Sequence, residues 1–220
     1  MENLNHGQAE KAVRGFTLIE LLGVIAILLV VIGVSIPLLL NGMDSIKLRE
    51  SGTEYAGLLQ QGRMRSARDN RFYSILLSAM GTMSIAYIDT YPQNANGTSG
   101  NSAYDAAQHE PLILFGSGIV IDNVNAPAKV NLQNQVVPAS SGVTLTSSTP
   151  SVVTFSARGL PCLATAGAAP GTATCYATAG NPVAYATFLV SPRGNWEAIT
   201  VTPAGRVQTW RYNGTSWGKI

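Results

Sequence analysis

From Leu21 to Leu40 the chain reads LLGVIAILLVVIGVSIPLLL, twenty residues without a charge. As a helix such a run is ~30 Å long, enough to cross the hydrocarbon core of a bilayer. No later stretch is long or apolar enough to cross again, so one spanning helix precedes everything else. Lys11 and Arg14 lie before the run, which keeps that side cytoplasmic and sends the remainder to the periplasm or the outside. Two ordinary readings compete. Gly33-Val34-Ser35 has the small residues of a signal-peptidase site, so a cleavable secretory signal would end before Ile36, although the run is longer than the usual apolar region of such signals. The other is a plain single-pass anchor. Neither accounts for Glu20, a carboxylate at the start of the run, where charge is costly and a partner is expected.

Composition removes several classes. Charged residues are only 12% of the 220, which argues against a disordered, highly charged tail protein. The formal charge of +2, from 14 Lys+Arg against 12 Asp+Glu, does not suggest a general nucleic-acid binder, although local clusters stay open. Two His and two Cys exclude a zinc-cluster protein and a multi-disulfide scaffold.

The residues around Glu20 narrow the choice. Arg14-Gly15-Phe16-Thr17-Leu18-Ile19-Glu20 runs directly into the apolar stretch. This segment resembles the type III signal of type IV pilins and secretion pseudopilins. The resemblance implies that prepilin peptidase cuts between Gly15 and Phe16 and removes residues 1–15 as a leader. It implies that Phe16 becomes the N-methylated N-terminus and that Glu20 is the assembly carboxylate. A leader of fifteen residues is longer than in many members and leaves the motif intact. A physical logic accompanies it. Cleavage leaves the apolar helix attached, so subunits wait in the inner membrane. Glu20 is poorly solvated there, and the free amine of Phe16 on a neighbouring chain is a natural counter-charge. Such a pair sets register more than net stability, because buried ion pairs often only break even. The helices then pack as a filament core, exchanging lipid for one another. The implied partners are prepilin peptidase, other pilins or pseudopilins and the inner membrane.

Residues 16–40 are thus read as the membrane and filament-core helix, and 41–71 as its amphipathic continuation. Pro37 removes a backbone hydrogen bond and clashes with the preceding turn, so a kink or local melting is expected near Ser35 to Leu38. Asn41-Gly42 is a second weak point. Beyond it, Ile46, Leu48, Tyr55, Leu58, Leu59 and Met64 only partly fit one apolar stripe. Arg63, Arg65, Arg68 and Arg71 suit the negative end of the helix dipole, as a solvated helix end or as a contact with a neighbouring subunit or nucleic acid.

After Asn70 the period becomes strand-like. Residues 72–79 and 82–88 around Gly81 read as a hairpin, and 89–110 as a long polar loop. Strands are expected at 112–115, 118–122, 143–147, 152–156, 187–191, 196–202 and 206–212, with a turn at Thr202–Gly205 and a hairpin turn at Asn213-Gly214. The fold class is α+β: a long N-terminal hydrophobic helix plus a C-terminal β-rich domain of antiparallel strands, residues 72–220, facing the periplasm or beyond.

Three later segments are similar to the GspH/FimT group of minor pseudopilins: the Arg-rich helix end, Val153–Gly159, and Ala198–Val207 with its Gly205-Arg206 turn. The long loop at 89–110 and the Cys-bearing loop depart from that group in length. Cys162 and Cys175 have twelve residues between them and face an oxidising compartment, so a structural disulfide is expected, worth ~3 kcal/mol in the chain-entropy model. No metal site is expected, since two Cys are too few ligands and no His lies nearby. No cofactor, catalytic residue or small-molecule substrate is expected either. His6 falls in the leader, His109 lies in a polar loop beside Glu110, and there is neither a Gly-rich phosphate loop nor a G-x-S-x-G motif. Asn96-Gly97-Thr98 and Asn213-Gly214-Thr215 match the glycosylation sequon, a match common by chance. Two functional classes remain. One is a structural subunit, a minor pseudopilin of a type II secretion pseudopilus or a minor pilin of a type IV pilus. The other is a DNA-capturing minor pilin acting in DNA uptake, a role associated with some FimT-like relatives. For that role Arg193, Arg206, Arg211 and Lys219 would contact phosphate, with Trp196, Trp210 and Trp217 among them for stacking. The competing reading of these Trp residues is core or hairpin packing.

Overall fold

The computed structural model describes residues 16–80, 83–89, 104–108, 110–137, 145–147, 152–162 and 183–220. The chain divides into two compact units, Met1–Gly42 and Met43–Ile220.

In the first unit, helix α1 (Leu18–Asp69) begins at the apolar run. Each described side chain from Phe16 to Gly42 is exposed, Leu18 at 80% and Val30 at 69%, so this stretch has no protein covering its apolar surface. The helix is continuous across Ser35–Leu38, and the proline does not melt it. Just upstream, Ser35 Oγ donates to the Val31 carbonyl at 2.8 Å, a back-bond that favours bending.

In the second unit the remainder of α1 lies against a β-rich body. Leu48, Ser51, Tyr55, Leu59, Gly62 and Ser66 recur at steps of three and four and are all buried. The expected stripe is therefore real but is built partly from small and polar residues. Two of the apolar residues expected to belong to it, Ile46 and Met64, are 67% and 64% exposed on the other side. The helix stops because Asn70 takes a left-handed φ of 51°, which lets the Arg71 N–H reach back to the Ser66 carbonyl at 3.1 Å.

Strands β1 (Tyr73–Met80) and β2 (Met83–Asp89) form the expected antiparallel hairpin. With β3 (Leu112–Leu114), β6 (Val152–Phe155) and β7 (Pro161–Cys162) they make a five-stranded sheet in the order β3-β2-β1-β6-β7. The second sheet runs β11-β10-β9-β8-β4, from β4 (Val120–Ile121), β8 (Ala184–Val190), β9 (Trp196–Val201), β10 (Val207–Tyr212) and β11 (Trp217–Lys219). β5 (Leu145–Ser147) joins β8 as a parallel pair within otherwise antiparallel ladders. Asn213-Gly214 turns the chain between β10 and β11, as its sequence predicts.

One core lies where α1 meets both sheets. Tyr55, Ile75, Phe155, Leu189 and Ile199 are almost fully buried there, and the Tyr55 hydroxyl meets Thr187 Oγ1 at 3.2 Å. A second core sits under α2 (Lys129–Val136), a short helix that the sequence does not announce. Its only buried residues are Leu132 and Val136, and its N-cap, Ala128, makes no side-chain cap bond. Tertiary bonds hold it instead: Trp217 Nε1 donates to the Pro127 carbonyl at 3.0 Å and Gln135 Nε2 to the Trp217 carbonyl at 3.2 Å.

Candidate functional site

Phe16 and Thr17 precede the first helical residue, and Phe16 is 80% exposed. Thr17 caps α1: its Oγ1 accepts from the Glu20 N–H at 3.3 Å, and its carbonyl accepts from the N–H groups of Glu20 and Leu21. Thr17-x-x-Glu20 thus has the spacing of a capping box, a signal the sequence reading passed over. The second half of that box is not formed, because the Glu20 carboxylate makes no bond back to the Thr17 N–H among the described residues. An acidic group in the first turn suits the positive end of the helix dipole, and its oxygens stay open to an outside donor. Gly15 lies outside the described residues.

The four basic residues considered for DNA do not converge. Arg193, in the turn between β8 and β9, pairs with Asp44 of α1. Arg211, on β10, stands 3.7 Å from the carboxylate of Glu197 on β9, an ion pair rather than a hydrogen bond. Lys219 is exposed on the edge strand β11. Arg206 lines a groove together with Arg63 and Arg158. Trp210 and Trp217 are buried in the second core, and the Trp210 indole N–H donates to Thr200 Oγ1 at 2.9 Å. These two tryptophans are packing residues and cannot stack on a base. Cys162 is buried on β7 and its carbonyl accepts from the Tyr185 hydroxyl, while Cys175 and His109 lie outside the described residues.

Two features of the second unit were not foreseen. Glu197 is fully buried against α1 at Gly52, and neither of its oxygens has a hydrogen-bond partner. Burial pushes this carboxyl up to about 7, against the opposing pull of Arg211 and Arg49. A lone Glu in an apolar strand was the available signal. The other feature is a groove of about 450 Å³ along the C-terminal half of α1, lined by Arg63, Met64, Ala67, Arg158, Arg206 and Val207 among others. Arg63 ties two turns to the helix, its Nε donating to the Gly159 carbonyl at 3.2 Å and its Nη2 reaching the Ala204 carbonyl at 3.5 Å. Gly159 and Gly205 permit that approach with φ of 70° and 74°. Arg68 belongs to a different arrangement, in which it and the Tyr73 hydroxyl hold the Asp69 carboxyl down at about 2. Among the described residues, no group of three His, Cys, Asp or Glu side chains is placed to hold a metal ion.

Residues 11–36 match the family described as the prokaryotic N-terminal methylation motif. The match spans Gly15, Phe16, Glu20 and most of the apolar run. It supports a type IV pilin-like chain that is a substrate of prepilin peptidase and carries a membrane anchor. No curated protein and no solved structure matches the chain.

Proposed function

We propose that the protein is a minor pseudopilin or minor pilin, of the GspH/FimT kind, that supports protein secretion or pilus biogenesis from the inner membrane. The observation carrying this reading is the methylation motif at residues 11–36, set on a helix whose first half has no protein covering it. Such a surface needs lipid first and neighbouring helices later. In this reading the peptidase cuts between Gly15 and Phe16, and Phe16 is N-methylated. Glu20 then takes the amine of a neighbour, the β-rich unit stands in the periplasm, and Pro37 bends the helix near the membrane surface. Cys162 pairs with Cys175. The Thr17 cap supports the first step: the helix starts at Leu18, so Phe16 and Thr17 are non-helical chain beside the scissile bond.

Mass spectrometry of the mature chain and a blot of sheared surface fibres test this together. The expected N-terminus is methylated Phe16, and Glu20→Ala should leave cleavage intact while removing the protein from fibres or pseudopilus complexes. An intact leader would sink the reading. Recovery in sheared fibres favours a pilus, and retention in the envelope with a major pilin recovered favours a secretion pseudopilus. The DNA-uptake reading keeps one supporting observation, the exposure of Arg206 beside Arg63 and Arg158. It loses Trp210 and Trp217 to the core, while Trp196 is half-buried against it.

A further inference from the structure

We propose that the groove along the C-terminal half of α1 is a docking site for an extended acidic peptide of a partner protein, whose carboxylates pair with Arg158 and Arg206 while its apolar side chains rest on Met64, Ala67 and Val207. Every lining residue belongs to the second unit, so the site is the same whichever fibre the chain serves.

Three segments build the groove. α1 supplies Arg63, Met64 and Ala67, the turn after β6 supplies Arg158, and the turn entering β10 supplies Arg206 and Val207. Both turns are closed by their own backbone: the Ser156 N–H donates to the Leu160 carbonyl at 2.8 Å, and the Thr202 N–H to the Arg206 carbonyl at 2.9 Å. They also lie against each other, because a Cβ at Gly205 would stand 2.6 Å from the Gly159 carbonyl oxygen. Arg63 bonds to both, at the Gly159 and Ala204 carbonyls. Arg158 and Arg206 are therefore carried on backbone that is already fixed, and little main-chain freedom is lost when they take a ligand.

The charge of the groove is one-sided. Three guanidinium groups line it and no acidic residue does. Arg158 and Arg206 are exposed, and among the described residues neither they nor Arg63 is in an ion pair. Arg68, Arg193 and Arg211, by contrast, each face an acid of this chain. Like charges gathered without a counter-charge repel, and an anion entering between them relieves that repulsion.

The floor selects among anions. Met64 is 64% exposed, and with Ala67 and Val207 it gives an apolar base that a phosphodiester backbone cannot use. No aromatic residue lines the groove to stack on a base. A volume of about 450 Å³ holds a few side chains rather than the path of a long strand. Carboxylates spaced by apolar side chains match both parts, since guanidinium forks take carboxylates bidentately. The charges then decide which peptide enters and how fast, and the floor adds hold.

The test measures the fluorescence anisotropy of a labelled peptide alternating leucine with glutamate, added to the full-length chain in a neutral detergent with empty micelles as the blank. Saturable binding is expected. Replacing each glutamate by glutamine, or each leucine by serine, should weaken it at least about tenfold, as the loss of one charge-assisted hydrogen bond would. Arg158→Ala should weaken it, and Arg158→Glu with Arg206→Glu should abolish it with the melting temperature kept, because both side chains are exposed. Lys219→Glu removes an exposed cation outside the groove and should leave binding unchanged. No saturable binding, equal binding of either control peptide, or equal loss in Lys219→Glu overturns the proposal. So does tighter binding of a single-stranded DNA oligonucleotide that the double charge reversal abolishes, which would make the groove a phosphate site.

Discussion

Glu197 shows how one residue can make the fold sensitive to pH. Its carboxyl is pushed up to about 7, chiefly by burial, and the charged groups acting on it are Arg211 from β10 and Arg49 from α1. Between the ordinary glutamate value and 7 the folded chain keeps a proton that the unfolded chain releases. Stability from this group is therefore full below about pH 4.5, falls as pH rises towards 7, and is flat beyond. The total is on the order of 1–3 kcal/mol. Thermal melts of the detergent-solubilised chain at pH 5 and pH 8 should show this loss. Glu197→Gln should flatten it and raise the melting temperature at pH 8. An unchanged pH dependence in the variant would place the titrating group elsewhere.

At the scale of elements, α1 separates what the sequence makes legible from what it hides. Its apolar first half is plain from residues 21–40, because an uncharged apolar run of that length is long enough to cross a bilayer as a helix. Its second half is obscured because the buried face mixes Leu48, Tyr55 and Leu59 with Ser51, Gly52, Gly62 and Ser66, while Ile46 and Met64 face outward. Hydrophobicity alone cannot phase such a helix; close approach to the sheets selects small residues instead. The glycines make this testable. A Cβ at Gly52 would overlap the carboxylate of Glu197, whose Cδ lies 2.8 Å away, whereas a Cβ at Gly57 meets nothing within 4 Å. Gly52→Ala should destabilise by ~1–3 kcal/mol through overpacking. Gly57→Ala should stabilise by ~0.5–1 kcal/mol through helix propensity. Equal effects in chemical denaturation would contradict this orientation of the helix. Most strands were readable because their β-branched and aromatic runs end in turn residues, as at Asn213-Gly214, whereas the short β7 and β11 were not expected and β8 begins three residues before its expected start. α2 was not, because Lys129–Val136 has no capping residue and gains its stability from Trp217, which is distant in sequence. Of the candidate site residues, Phe16 and Glu20 stand in a contiguous motif that was legible in the sequence and that the methylation-motif match covers. The basic set was not, because pairing across the fold commits Arg193 to Asp44 and Arg211 to Glu197.

At the scale of the whole molecule, the two units have opposite solvent requirements. None of the described side chains of residues 16–42 is buried, while residues 43–220 contain both main cores. A chain beginning at Met43 should stay in the aqueous phase in detergent partitioning, with strand and helix content intact by circular dichroism. The full chain should enter the detergent phase. Loss of folded signal on truncation would mean that the apolar segment is needed for folding as well as anchoring. The ties along α1 within the second unit also have a mechanical meaning. Asp44–Arg193 holds its first turn, Tyr55–Thr187 its middle, and Arg63 with the Gly159 and Ala204 carbonyls its end. A pull on residue 43 along the helix axis would load these ties together in shear, so the domain would resist tension as a glued lap joint does, failing only when several bonds break at once.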